Sequence, residues 1–162
     1  MTVSAAVDLE HGWLAESVRI ATRNVADGGG PFGALVAKDG EIISTGVNRV
    51  TPSLDPTAHA EVVAIRAACQ ALGDFKLTGC VLVSSCEPCP MCLASALWAR
   101  VDRVLYAADR HDAAKAGFDD RAFYELFENR REDWEVPVSR LSLKDGFAPF
   151  DAWLDRPDRV DY

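Results

Sequence analysis

Residues 80–107, CVLVSSCEPCPMCLASALWARVDRVLYA, decide the fold. Cys80 to Ser84 is a short run of the kind found in a strand buried on both faces. Pro88 and Pro90 then open a helix running through Leu97 to Arg100, because a first helical turn leaves its N–H groups unpaired and tolerates proline. Arg103 to Ala107 reads as a further strand. Strand, helix and strand in so short a span predict a parallel pair joined by a right-handed crossover.

The chain on either side fits this unit. Upstream, Val7 to Ala26 reads as an amphipathic helix with Trp13, Leu14, Val18, Ile20 and Val25 roughly on one side, ending at the breaker Gly28-Gly29-Gly30-Pro31. Phe32 to Ala37 and Glu41 to Val47 read as a hairpin turning at Lys38-Asp39-Gly40, where Asp-Gly is a strong turn signal. Pro52 to Thr57 reads as a loop whose Thr57 caps a helix from Ala58 to about Ala71, stopped by Gly73, which puts His59 in the first turn. Downstream come a mostly helical stretch from Asp112 to Asn129, a fifth strand from Val136 to Leu141 and a tail from Phe147 to Tyr162. The expectation is an α/β protein: one domain over 1–162, a three-layer α/β/α sandwich around a mixed five-stranded sheet.

Composition narrows the function. With 162 residues, 49% hydrophobic and 26% charged, the chain is long enough to bury a core without disulfides or a structural metal, so any metal is expected to be catalytic. The five cysteines, an odd and clustered set, make a poor disulfide framework and a good metal-binding one. No basic leader and no membrane-length apolar run stand in the sequence, so the expected location is cytoplasmic with no membrane partner. Lys and Arg number 17 against 25 Asp and Glu, a net charge of −8, which argues against a nucleic-acid substrate.

The chemistry lies in two short segments, His59-Ala60-Glu61 and Pro88-Cys89-Pro90-Met91-Cys92. One imidazole and two thiolates fill three positions of a tetrahedral Zn2+ and leave the fourth for a water that the metal makes acidic. Glu61, two residues from the histidine, is a spare carboxylate able to take that water's proton and hand it to a departing amine. A structural zinc would usually close with four protein ligands, and three plus an acid fit catalysis better. Cys86 allows a reading as a third thiolate or part of an iron–sulfur site, but its place before the helix favours a buried strand-end thiol. Cys69 and Cys80 read as small core residues, and His11 and His111 as surface or loop histidines. The loop from Gly28 to Gly33 precedes a strand where a phosphate loop would precede a helix, so a turn beside a pocket-lining Phe32 is the better reading. Taken alone, Asn48 is a turn residue or a buried amide for a base edge, Trp98 a core or interface residue, Asp119-Asp120 a solvated helix cap, and Tyr162 a fraying end.

The pattern His-x-Glu with Pro-Cys-x-x-Cys is the known signature of zinc nucleobase deaminases, and the chain resembles the cytidine deaminase superfamily. Gly30-Pro31-Phe32-Gly33-Ala34, Asn48, Asp55 to Val62, Ser85 to Cys92, Asp112-Ala113-Ala114, Ala116 to Asp120 and the terminal Tyr162 make it more closely similar to the small zinc-dependent guanine deaminases of bacteria. The resemblance implies a homodimer of cytidine deaminase-like fold, acting in purine catabolism, that exchanges a C-terminal segment of about 147–162. It implies Zn2+ on His59, Cys89 and Cys92, and Glu61 as proton shuttle. It also implies Asp120 at the base's polar edge or in proton transfer, a purine held by Asn48 and the Ala60 backbone, Phe32 and Trp98 lining the pocket, and Tyr162 closing the partner's pocket. The implied reaction is hydrolytic deamination of guanine to xanthine and ammonia. Guanosine, cytosine or a triazine as substrate, tRNA adenosine deamination and a non-catalytic zinc module are the alternatives.

Overall fold

The computed structural model describes residues 3–161, so the Tyr162 expectation lies outside the described residues. The chain divides into two compact units, one ending at Glu125 and the other beginning at Leu126. The first contains a sheet of four strands: β1 (Gly33–Lys38), β2 (Glu41–Val47), β3 (Cys80–Cys86) and β4 (Arg103–Ala108), in the order β2-β1-β3-β4. β1 runs antiparallel to both β2 and β3, whereas β3 and β4 are parallel, so the sheet is mixed as expected. Asp39 and Gly40 both take positive φ, 52° and 91°, which is the tight hairpin geometry that Asp-Gly favours.

The central strands are buried on both faces, and alternation sorts their side chains into two layers. Leu35, Ala37 and Val83 meet Trp13 of α1 (Val3–Ala26) on one side. Ala34, Val36, Cys80 and Leu82 meet Ala60, Ala64, Ile65 and Ala68 of α3 (Ala60–Leu72), and Ala96 of α4 (Pro90–Trp98), on the other. This unit is therefore a three-layer α/β/α sandwich. The small residues let α3 press onto the sheet: a methyl group added at Gly46 of β2 would stand 2.2 Å from the Ala60 carbonyl oxygen. That close approach pins the end of α3 that carries His59 and Glu61.

Several local expectations are corrected. A one-turn helix, α2 (Val50–Ser53), interrupts the stretch read as a loop. Thr57 does not cap α3; its N–H and hydroxyl both donate to Asp55, and His59 itself occupies the N-cap with extended backbone, φ −69° and ψ 153°. Gly73 ends α3 in the left-handed region, as its position suggested. The helical stretch after β4 splits into α5 (Arg110–Lys115) and α6 (Asp120–Glu128) around Gly117.

The fifth strand is not formed. Residues 136–141 carry no regular structure, and Val136, Val138 and Leu141 are exposed. Pro137 supplies the reason: without an N–H it cannot donate to a ladder, so alternating apolar residues beside it do not amount to a strand. The second unit consists of a 3-10 turn (Arg131–Asp133), this irregular stretch and α7 (Ala148–Leu154). Within it, Phe127 and Trp134 meet edge to face, and the Phe147 and Phe150 rings lie 5.2 Å apart.

Candidate metal centre and active site

Two helix N-termini converge at the end of β3. His59 is the N-cap of α3 and Cys89 the N-cap of α4, with Pro90 in the first turn and Cys92 three residues after the cap. Helix N-termini present unpaired N–H groups and positive dipole ends, which favour thiolates. His59 Nδ1 lies 3.6 Å from Cys89 Sγ and 3.5 Å from Cys92 Sγ, and the three ligand atoms fall within 4.8 Å of one another. Cys89 and Cys92 are buried, and His59 is partly so.

Glu61 stands beside this trio at 5% exposure. Its Oε1 accepts from Ser84 Oγ at 3.2 Å and its Oε2 from Cys92 Sγ at 3.4 Å. Two positions apart on a helix would point His59 and Glu61 to different faces, and the extended backbone at the N-cap removes that conflict. Because His59 is not yet helical, its ring and the Glu61 carboxylate can serve one centre.

The electrostatics suit proton traffic. Burial pushes the Glu61 carboxyl above the usual carboxylate range. The Cys89 thiol is drawn down to about 4, first by accepting a hydrogen bond from Cys92 and further by His59, which together outweigh burial. The same shared proton, with burial, holds Cys92 up, and the Cys89 interaction raises His59. Two thiols and an imidazole that already compete for protons at one point match the donor set of a zinc ion, which binds thiolate and neutral imidazole. The residues fit the metal.

Around the centre, the structure brings most of the other expected residues together. Asn48 is 8% exposed; its N–H donates to the Phe32 carbonyl oxygen, and the next residue's N–H donates to Ala58, directly before His59. Ala60 is buried at the first position of α3, where its N–H has no acceptor within the helix. Phe32 meets Phe118 edge to face with centroids 4.8 Å apart, so the Gly117–Asp120 turn reaches the Phe32 side of the site. Asp120 is half-buried; desolvation raises its carboxyl, and the charges of Cys89 and His59 both act on it. Trp98 is different: it stands at the far end of α4 from the cysteines, 62% exposed, with Arg100 over its ring. Cys86 is the last residue of β3, buried, and raised to about 11 mainly by desolvation, as a strand-end thiol rather than a ligand.

The structure adds a link that sequence reasoning missed. Glu87, between β3 and the cysteine loop, accepts from Arg110 Nε at 2.9 Å and from the Arg110 backbone N–H at 3.0 Å. The Arg110 guanidinium lies 3.5 Å from the Tyr124 ring centroid, and Tyr124 Oη donates to the Pro88 carbonyl oxygen at 2.6 Å. Segments 23 and 36 residues apart are joined this way, and no local pattern announces such a pairing.

Residues 8–108 match the cytidine and deoxycytidylate deaminase zinc-binding region. The chain belongs to the cytidine and deoxycytidylate deaminase family. Within this deaminase family it is 48% identical to the guanine deaminase of Bacillus subtilis, over 93% of this chain and 97% of that protein. The crystal structure of B. subtilis guanine deaminase superposes with a TM-score of 0.90 at 47% identity, covering 94% of this chain and 98% of that one. NE0047, solved in complex with 2,6-diaminopurine, superposes with a TM-score of 0.67 at 34% identity, covering 68% of this chain and 62% of that one. A tRNA-specific adenosine deaminase from Aquifex aeolicus is 38% identical over 80% of this chain and 87% of its length. The family is a zinc-binding one, in keeping with the His59, Cys89 and Cys92 cluster.

Proposed function

We propose that this chain is a zinc-dependent guanine deaminase, converting guanine and water to xanthine and ammonia. The near end-to-end similarity to B. subtilis guanine deaminase carries the substrate assignment. The holding of 2,6-diaminopurine by a structural relative supports a purine-sized site.

In this reading His59, Cys89 and Cys92 hold the zinc, which when bound supplies the Lewis acidity that makes water a nucleophile near neutral pH. Glu61 takes a proton from the water as its oxygen bonds to C2, and returns it to the amino nitrogen as the C2–N bond breaks. Its raised proton affinity suits that exchange, and Ser84 steadies the carboxylate. Asn48 and the Ala60 N–H bind the purine edge, Phe32 packs against its face, and Asp120 meets the polar edge that carries the leaving amine. Trp98 and Tyr162 complete the pocket in a homodimer that exchanges the segment of about 147–162. Exposed Leu141, Leu143, Phe147, Phe150 and Leu154 support a tail covered by another copy. Five free cysteines fit a reducing, cytoplasmic location, and among the described residues no helix is long and apolar enough to cross a membrane.

A panel of guanine, guanosine, cytosine, a triazine and an anticodon stem-loop RNA, read by ammonia release, tests the assignment. Guanine should give the highest kcat/KM. The net charge of −8 weighs against the RNA. Faster turnover of the RNA, with affinity that falls steeply with salt, would replace this reading with tRNA editing.

A further inference from the structure

Asn24 sits in the last turn of α1, only 3% exposed, although it is polar and lies on the helix that faces away from the metal layer. Its Nδ2 carries two hydrogens and both are used: one goes to the Gly30 carbonyl oxygen at 2.8 Å and the other to the Asn48 carbonyl oxygen at 2.9 Å. The Asn24 carbonyl in turn accepts from the Gly29 N–H at 2.8 Å. One residue thus grips both the Gly28–Pro31 turn and the end of β2.

The glycines permit this closure. A methyl group at Gly29 would stand 2.3 Å from Asn24 Nδ2, and one at Gly30 would stand 3.0 Å from Asn48 Cγ and Oδ1. Asn48 Oδ1 accepts from the Val50 N–H at 3.3 Å, and the Asn48 N–H donates to Phe32. With its backbone tied at both ends and its amide oxygen engaged, Asn48 has its NH2 left for a ligand. An NH2 donor selects an acceptor, and the ring nitrogen and carbonyl oxygen along one edge of guanine are acceptors.

We propose that Asn24 is a positioning residue for base recognition: by holding the Asn48 and Gly30 carbonyls together, it fixes the Asn48 amide with its NH2 toward an acceptor edge of the purine. The inference rests on the purine-deaminase reading of the site. Asn24 touches no reacting atom and acts only through Asn48. Aspartate at this position has no hydrogens to give and would set a carboxylate against two carbonyl oxygens; alanine would take the side-chain donor from the buried Asn48 carbonyl and leave Gly30 with only the Phe32 N–H.

A double-mutant cycle tests this. kcat and KM for guanine are measured for the wild type, Asn24→Ala, Asn48→Ala and the double variant, with zinc per chain and thermal unfolding recorded for each. N24A should raise KM on the order of tenfold or more while zinc content and kcat stay near wild type, because an interaction made equally in ground and transition states is lost. Added to N48A, the same change should cost nothing further. An equal loss in both backgrounds would mean that Asn24 merely stabilises the fold, and the inference would be overturned. If N24A is too unstable to purify, Asn24→Ser and Gly30→Ala run the same cycle, the second pushing Asn48 from the opposite side. A wild-type protein that binds zinc and leaves guanine intact would overturn the functional reading itself, before any variant is compared.

Discussion

The metal-facing residues and the segment from Asp109 to Glu125 are held in place by different forces. His59, Glu61, Cys89 and Cys92 stand at two helix starts that are packed onto the central strands, and the last three are almost wholly buried. In the later segment only Ala113 is buried, and its placement depends on a few directed contacts: Arg110 to Glu87, Tyr124 to Pro88, and Phe118 on Phe32. Core packing fixes the first region, which carries the metal-ligand trio expected of a zinc-binding deaminase. The second region is held by a handful of polar and ring contacts, so changes there cost the fold little, and in the proposed reading it is where substrate choice is made.

The contrast predicts distinct failures. The largest is at the centre: Glu61→Gln should keep one zinc per chain and lower kcat by about 10²–10⁴-fold, as removal of a general acid–base group does. Cys92→Ser should instead lose zinc, read by metal analysis. Next comes the later segment: Asp120→Asn should leave zinc bound and reduce discrimination between guanine and guanosine or cytosine more than it reduces turnover of its best substrate. Equal loss on every substrate would assign Asp120 to the chemistry and blur the contrast.

The smallest effect concerns the link between the regions. Arg110 holds the Glu87 carboxyl below its ordinary value of 4.5. A depressed carboxylate contributes stability that is present above its unfolded value and lost as pH falls through the folded one. Glu87→Gln should therefore flatten the loss of stability below about pH 4.5 seen by thermal melts, while lowering kcat/KM for guanine about tenfold through a displaced Asp109–Glu125 segment. An unchanged acid limb would show that the ion pair adds nothing to folding.

How far each region could be read in advance follows from the same physics. The metal residues are legible because ligand chemistry demands particular residue types at short spacing, and strand–helix–strand order follows from the prolines and the apolar runs. That Glu61 serves the same centre as His59 was legible from the motif; how it reaches there was not, since that depends on His59 standing outside the helix by one residue. A Thr57 cap was the reasonable expectation, and Asp55 captured that side chain instead. The apolar residues Val136, Val138 and Leu141 imitated a strand that Pro137 prevents. Arg110 and Glu87 are 23 residues apart and meet only after the parallel crossover brings β4 beside β3.

In the proposed reading, one zinc on His59, Cys89 and Cys92 turns this site into a guanine deaminase. Protein stripped of metal by chelation, then titrated with zinc while xanthine and ammonia are followed, tests it most directly. The stripped protein should show no turnover, the two products should form in equal amounts, and the rate should rise linearly and stop at one zinc per chain. Full activity without metal, or a zinc-saturated chain that leaves guanine unchanged, would contradict it.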